Sequence, residues 1–172
     1  FWGAGATLRL VVLTWAGLIL KFDIERATQL TAVVAVGIAV GAVVAGKFVT
    51  LEKSVKILPA GILMGFTVMA MVLVNDWRIA VALLFVIGAL GGFFVVPMNA
   101  LLQHRGHLLM GAGHSIAVQN FNENISILLL LGGYALMVKA GYHIDTITII
   151  FGCFVSLSMW LIQYRYQRIE GR

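Results

Sequence analysis

Five polar side chains occupy a six-residue window inside an otherwise apolar segment, residues 113–131 (GHSIAVQNFNENISILLLL). The five are Gln119, Asn120, Asn122, Glu123 and Asn124. Amides and a carboxylate can bind amines, hydroxyls and glycerol oxygens. Polar and ionisable groups are costly inside a bilayer, and there they typically mark a functional site.

A second isolated charge, Arg9, lies in the first apolar segment, where no other residue from Phe1 to Leu20 is charged. Arg9 comes twelve residues before Lys21, which is roughly 18 Å along a helix and near the midplane of a ~30 Å hydrocarbon core. Glu123 is about 15 Å from the opposite end of its own helix and reaches a similar depth. A guanidinium fork suits phosphate.

Helical geometry places Gln119, Asn120 and Glu123 within an arc of about 100°. Asn124 falls at the edge of this arc, and Asn122 points elsewhere. The arc could be the wall of a cavity that binds a polar group. It could also form a polar clasp, with Arg9 pairing to Glu123 and fastening two helices together.

The composition places these residues in a helical integral membrane protein. The 172 residues are 61% hydrophobic and 11% charged, whereas soluble domains carry about 25% charged residues. The apolar blocks are continuous and lack the alternation of barrel strands. The net charge of +5 comes from residues between these blocks, which favours lipid headgroups over nucleic acid as the partner.

Six segments are long enough to span a bilayer, and short connections make consecutive helices antiparallel neighbours. The predicted spans are 1–20, 29–50, 55–75, 78–102, 113–138 and 144–162. Seven Lys and Arg residues lie on the side of both termini, namely Lys47, Lys53, Lys56, Arg105, Arg165, Arg168 and Arg172. Four lie on the other side, namely Lys21, Arg26, Arg78 and Lys139. The positive-inside rule therefore predicts cytoplasmic termini.

The second and fourth segments carry small residues and a proline. Gly37 and Gly41 stand in a GxxxG frame, which predicts a close helix contact. In the fourth segment, Gly91, Gly92 and Pro97 predict a kink that bends during gating. Asn99 follows the proline and is a further candidate for substrate binding.

No motif of an enzyme accompanies these features, so we expect neither catalysis nor a cofactor. Cys153 is the one cysteine, which excludes an intrachain disulfide and a multi-thiolate metal site. His104, His107 and His114 have no acidic neighbour, and a headgroup-level loop explains them better than a zinc site. Because the chain begins at Phe1 inside an apolar run, we expect it to be a piece of a longer protein.

Four stretches identify a family that the chain resembles. Six helices, with polar groups on the first and fifth, resemble one half of a major facilitator superfamily transporter. Within that superfamily, the chain closely resembles the C-terminal six helices of the bacterial lysophospholipid transporters. The stretches are FWGAGATLR (1–9), VTLEKSVKILPAGILMG (49–65), GGFFVVPMNALLQHRG (91–106) and GAGHSIAVQNFNEN (111–124). The sequence departs from the family pattern at Phe121-Asn122 and at His104.

The resemblance implies a transporter of the inner membrane of a Gram-negative bacterium. Such a protein moves lysophosphatidylethanolamine and lysophosphatidylglycerol to the cytoplasmic leaflet by alternating access, together with its N-terminal half. An acyl-ACP synthetase/acyltransferase re-acylates them there. Arg9 would contact the headgroup phosphate, and Gln119, Asn120 and Glu123 would line the polar part of the path.

Two other functions fit the same residues. The chain could be half of an exporter of a hydrophobic solute, with Glu123 as a proton site. It could instead be a membrane scaffold whose polar helix only fastens a partner.

Overall fold

The computed structural model of the chain describes residues 2–170 as six long α-helices joined by short turns. Phe1, at the start of the first predicted span, and Arg172, counted among the basic residues of the tail, lie outside the described residues. The helices are α1 (Trp2–Leu18), α2 (Ile24–Phe48), α3 (Leu58–Ala70), α4 (Trp77–Met110), α5 (Ala112–Lys139) and α6 (Ile144–Glu170). Short 3₁₀ helices flank α3, at Leu51–Ile57 and Met71–Leu73. Residues 2–170 contain no strand, so the all-α prediction is confirmed.

Five helical segments in the described part of the chain are long and apolar enough to cross a bilayer. They are α2, Lys53–Leu73, α4, α5 and Ile144–Arg168. The described part of α1 has 17 residues, slightly fewer than the ~20 that a full crossing needs. The chain is therefore a multi-pass membrane protein, and the sixth span, through α1, stays a prediction.

α4 continues well beyond the end of the predicted fourth span. It has 34 residues and ends at Met110, so most of the predicted 103–112 loop is helical. Pro97 lies inside this helix without ending it. A helix of this length measures about 51 Å, against a ~30 Å hydrocarbon core. The chain reverses at Gly111, whose φ of +80° lies in a region that favours glycine.

Two aspartates begin helices on one side of the bundle. The Asp23 side chain accepts a hydrogen bond from the Arg26 backbone N–H at 3.0 Å and caps α2. The Asp76 side chain accepts from the Arg78 backbone N–H at 2.8 Å and caps α4. Each carboxylate satisfies a backbone donor that the first turn of a helix leaves unpaired.

The most extensive helix contact joins α2 to α4 through glycines, and we call it the α2–α4 glycine contact. A Cβ atom at Gly41 would collide with the carbonyl oxygen of Ala89. The same conflict would arise at Gly88 with the carbonyl oxygen of Val34. Gly37 and Gly92 pack equally closely against the facing backbone. The prediction of a close helix contact from the GxxxG frame is confirmed.

The remaining helices also form pairs, α1 with α5 and α3 with α6. The hydroxyls of Thr14 and Tyr134 are 2.6 Å apart and link α1 to α5. The Ser156 hydroxyl donates to the Ile62 carbonyl oxygen at 3.2 Å, next to Gly65 on α3. Hydrogen bonds between helices are useful in a membrane because the surrounding lipid offers no partner to a polar group.

The core lies where the three helix pairs meet, and the apolar outer surface faces away from it. Trp15, Met71 and Leu84 are fully buried there. Apolar side chains on the outer faces remain open, for example Leu73 at 83% exposure and Leu128 at 71%. Such surfaces suit contact with lipid chains, which are as apolar as leucine.

The α2–α4 glycine contact generates a stability prediction. Gly41→Ala should lower the melting temperature of the full-length protein in detergent by several degrees, because overpacking costs about 1–3 kcal/mol. Gly46→Ala on the same helix is the matched control, since a Cβ there meets no atom within 4 Å. Equal melting temperatures for the two variants would contradict the close contact.

Candidate functional site

The polar stretch lies in the middle of α5, a helix that is buried at few positions. Of its 28 residues, only Ser115 and Tyr134 are buried. α5 packs mainly against α1 and α4, and less against α6. Most of its polar side chains are consequently open to a cavity or to the outer surface of the bundle.

Gln119 and Glu123 form a hydrogen-bonded pair on this helix. The Gln119 Nε2 atom donates to Oε1 of Glu123 at 2.7 Å, across one helical turn. Both side chains are half-buried. The amide fixes the position of the carboxylate and stabilises its charge. These two residues were predicted together from their spacing, and the structure brings them together.

A cavity of about 410 Å³ lies between α4 and α5, and we call it the α4–α5 cavity. Its polar lining combines the Gln119–Glu123 pair with side chains of both helices, namely Asn99, Arg105, Ser115, Asn122 and Ser126. Its apolar lining includes Leu102, Leu109, Met110 and Val118. Asn99, a candidate from the sequence, therefore shares one cavity with Gln119 and Glu123.

Asn122 lines the α4–α5 cavity and Asn120 does not, although the sequence predicts Asn120 on the cavity side of α5. Asn122 lines the α4–α5 cavity, although the helical angles were interpreted as pointing it elsewhere. Asn120 is exposed and does not line this cavity, and its backbone carbonyl accepts from the Asn124 side chain at 2.8 Å. At about 100° per residue, the two asparagines lie on opposite sides of the Gln119–Glu123 pair. The α4–α5 cavity thus lies on the Asn122 side of this pair, and a binding role for Asn120 stays a prediction.

A different pattern in α5 indicates the correct side. Ser115, Gln119, Asn122 and Ser126 recur at spacings of four, three and four residues, and such spacings form one stripe along a helix. All four line the α4–α5 cavity. The small serines at both ends extend the polar face, whereas on the side of Asn120 the polar Asn124 lies between the apolar Ile116 and Ile127.

Arg105 is the lining residue that the sequence interpretation missed as a site candidate. The sequence predicts a loop at this position, and Arg105 enters only the count of basic residues on each side of the membrane. Because α4 continues to Met110, Arg105 instead projects from a regular helix next to the polar stripe of α5. Gly106 permits this close approach of the two helices, since a Cβ there would collide with the Ser115 hydroxyl.

Arg9 lines a second, larger cavity of about 580 Å³, which we call the apolar cavity. Residues of α1, α2 and α4 form most of its wall, with smaller contributions from the other helices. Among its lining residues Arg9 is the one charged side chain, and it is exposed. The hydroxyls of Thr28 and Thr31 also reach this wall, but each donates to a backbone carbonyl of its own helix at 2.7 Å.

Arg9 and Glu123 line different cavities. Among the side chains that the structure describes, His143 and Asp145 approach within 4.0 Å, at 3.5 Å, whereas Arg9 and Glu123 do not. The clasp between Arg9 and Glu123 is thus not formed in this structure. Trp2 lines both cavities, so both border the same residue at the start of α1.

The three residues predicted to form a kink have different surroundings. Gly91 lines the apolar cavity, and Gly92 packs against the carbonyl oxygen of Ile38. Pro97 is buried inside the continuous helix α4. Their role in gating remains a prediction.

Comparison with known proteins supports the resemblance found in the sequence. The chain is 49% identical over 170 residues to the lysophospholipid transporter LplT of Escherichia coli O127:H6. The aligned region covers 96% of this chain and 43% of that relative. The chain is 48% identical over the same length to the lysophospholipid transporter LplT of Shigella flexneri serotype 5b. The resemblance to the bacterial lysophospholipid transporters is therefore confirmed. The chain spans 43% of the length of these curated relatives. No protein-family model and no solved structure matches the chain.

The position of the α4–α5 cavity generates a labelling prediction. In a Cys153→Ser background of the full-length protein in membranes, a charged thiol reagent should modify Asn122→Cys several-fold faster than Leu128→Cys. Both positions are exposed on α5, but the reagent needs water, and Leu128 lies on the apolar outer face. Equally fast modification of Leu128→Cys would contradict the assignment of the polar face.

Proposed function

We propose that the chain forms one six-helix half of a lysophospholipid transporter of the major facilitator superfamily in a bacterial inner membrane. The observation that carries the proposal is the 49% identity, over 96% of the chain, to a protein named as a lysophospholipid transporter. The relatives are longer than the chain, so the second half of the transport path would come from a further segment of the same type.

The division of the cavities supports an amphipathic substrate with one acyl chain. A charged headgroup cannot cross hydrocarbon unaided, because an uncompensated charge is costly in an apolar medium. The polar lining of the α4–α5 cavity suits such a headgroup, and the apolar cavity suits the chain. Both cavities border Trp2, and we infer that head and tail of one molecule occupy them together.

Arg9 is the residue that we assign to the headgroup phosphate inside the membrane, at a stage of transport other than the one in which the headgroup occupies the α4–α5 cavity and the chain the apolar cavity. It is the one charged group lining the apolar cavity, and its five donors match phosphate oxygens in a bidentate geometry. Gln119, Glu123 and Asn99 would line the next part of the path. Asn120 would contribute only where the other half of the transporter completes the path beside α5.

Direction and partners follow from the family and from the distribution of charge. The substrates would be lysophosphatidylethanolamine and lysophosphatidylglycerol, moved by alternating access to the cytoplasmic leaflet. An acyl-ACP synthetase/acyltransferase would re-acylate them there. The seven basic residues on the side of the termini, against four on the other side, favour cytoplasmic termini. During the conformational change, Gly91, Gly92 and Pro97 would let α4 bend.

Transport by Arg9 variants of the full-length protein tests the proposed function. In a leaflet-specific assay with labelled lysophosphatidylethanolamine, Arg9→Ala should lower the initial rate at least about tenfold, because a hydrogen bond to a charged group contributes about 1.5–3 kcal/mol. Arg9→Lys should retain part of the rate, since it keeps the charge but loses the fork.

Lys139→Ala is the matched control, because it removes an exposed basic residue that lines neither cavity. Undiminished transport by Arg9→Ala would refute the role of Arg9. A wild-type protein that moves no lysophospholipid would refute the proposed function itself. If drug-like cations compete with the lipid for transport, and transport depends on a proton gradient, the exporter would be favoured instead.

A further inference from the structure

We propose that the α4–α5 cavity is a subsite for a zwitterionic phosphoethanolamine headgroup, in which Arg105 binds the phosphate and Glu123 the ammonium. This inference rests on the proposed function and deepens it, because it names the headgroup chemistry that one cavity recognises. It also assigns a binding role to Arg105, which so far has counted only toward topology.

The first observation is that one cavity carries two opposite charges that do not neutralise each other. Arg105 and Glu123 both line the α4–α5 cavity. Neither takes part in an ion pair within 4.0 Å in the described part of the chain, where His143 and Asp145 form the one such pair. A ligand with a separated negative and positive charge can bridge them and satisfy both.

The second observation concerns the chemistry of each end of the cavity. Gln119 donates to one oxygen of Glu123 and so holds the carboxylate in place. A primary ammonium group offers three donors, and a carboxylate with flanking amide oxygens can accept them. Asn99 and Asn122, whose amide groups carry such oxygens, line the same cavity. At the other end, Arg105 offers the planar fork that binds phosphate in a bidentate way.

The third observation is the depth of the two charges. Arg105 follows Trp77 by 28 positions along α4, which is about 42 Å and beyond the ~30 Å hydrocarbon core. Glu123 precedes Lys139 by 16 positions along α5, about 24 Å, and remains inside the core. The cavity thus connects the membrane interior to the headgroup layer on the side with more basic residues.

The fourth observation is the apolar wall beside the charges. Leu102, Leu109 and Val118 line the cavity next to Arg105, and Leu109 is 81% exposed. A site for free phosphate or a soluble amine would gain nothing from these side chains. A lysophospholipid would, because its acyl chain begins close to its phosphate. The Arg105 subsite is also separate from Arg9, so the headgroup would meet one guanidinium in each cavity.

The test compares two lysophospholipids that share the phosphate and differ in the ammonium. Transport of labelled lysophosphatidylethanolamine and lysophosphatidylglycerol is measured for the full-length transporter. In Glu123→Gln, the ratio of the ethanolamine-lipid rate to the glycerol-lipid rate should fall at least about tenfold relative to wild type, the size expected when one charged hydrogen-bond partner is lost. The melting temperature of the purified variant reports whether it folds.

Arg105 variants test the other end of the cavity. Arg105→Ala should lower the rates for both lipids by a similar factor, since both carry the phosphate, and Arg105→Lys should restore part of each rate. Arg165→Ala is the matched control, because it removes an exposed basic residue of α6 that lines neither cavity.

The outcomes separate this inference from the proposed function. An unchanged ratio in Glu123→Gln, or equal rates in Arg105→Ala and Arg165→Ala, would overturn the subsite while wild-type transport continued. A wild-type protein that carried neither lipid would overturn the proposed function, and the subsite with it. A variant that failed to fold would be replaced by Gln119→Leu, which removes the support of the carboxylate and should shift the ratio in the same direction.

Discussion

The close contact of α2 with α4 is the interaction on which the other features of this structure depend. Four glycines remove the side chains that would hold the two backbones apart, and carbonyl oxygens occupy the space where Cβ atoms would be. α4 then supplies a wall to both cavities, through Gly88 and Gly91 in one and Asn99 and Arg105 in the other. A shift of α4 would therefore change both walls at once.

The arrangement of charge follows from the cost of polar groups in lipid. Glu123 receives a hydrogen bond from its own helix and lies beside a polar cavity, so its charge does not face lipid chains alone. Arg9 opens into a cavity that is otherwise apolar. The two charged groups do not form an ion pair with each other. Separated and accessible charges remain available to a ligand.

Much of this architecture could be predicted from the sequence, since continuous apolar runs define helices, and a GxxxG frame defines a close contact. The Gln119–Glu123 pair also followed, because a four-residue spacing is local. Arg105 could not be recognised, because hydropathy shows where lipid contact ends and does not show where a helix ends. The place of Asn122 in the α4–α5 cavity could not be predicted, because the rotation of α5 about its axis depends on packing against α1 and α4, which no local pattern contains.

We propose above all that one lysophospholipid places its headgroup in the α4–α5 cavity and its acyl chain in the apolar cavity. The most direct measurement is an electron cryomicroscopy structure of the full-length transporter with bound lysophosphatidylethanolamine. We predict headgroup density between Arg105 and Glu123, with chain density passing Trp2 toward Arg9. Headgroup density outside the α4–α5 cavity and away from Arg9 would contradict it.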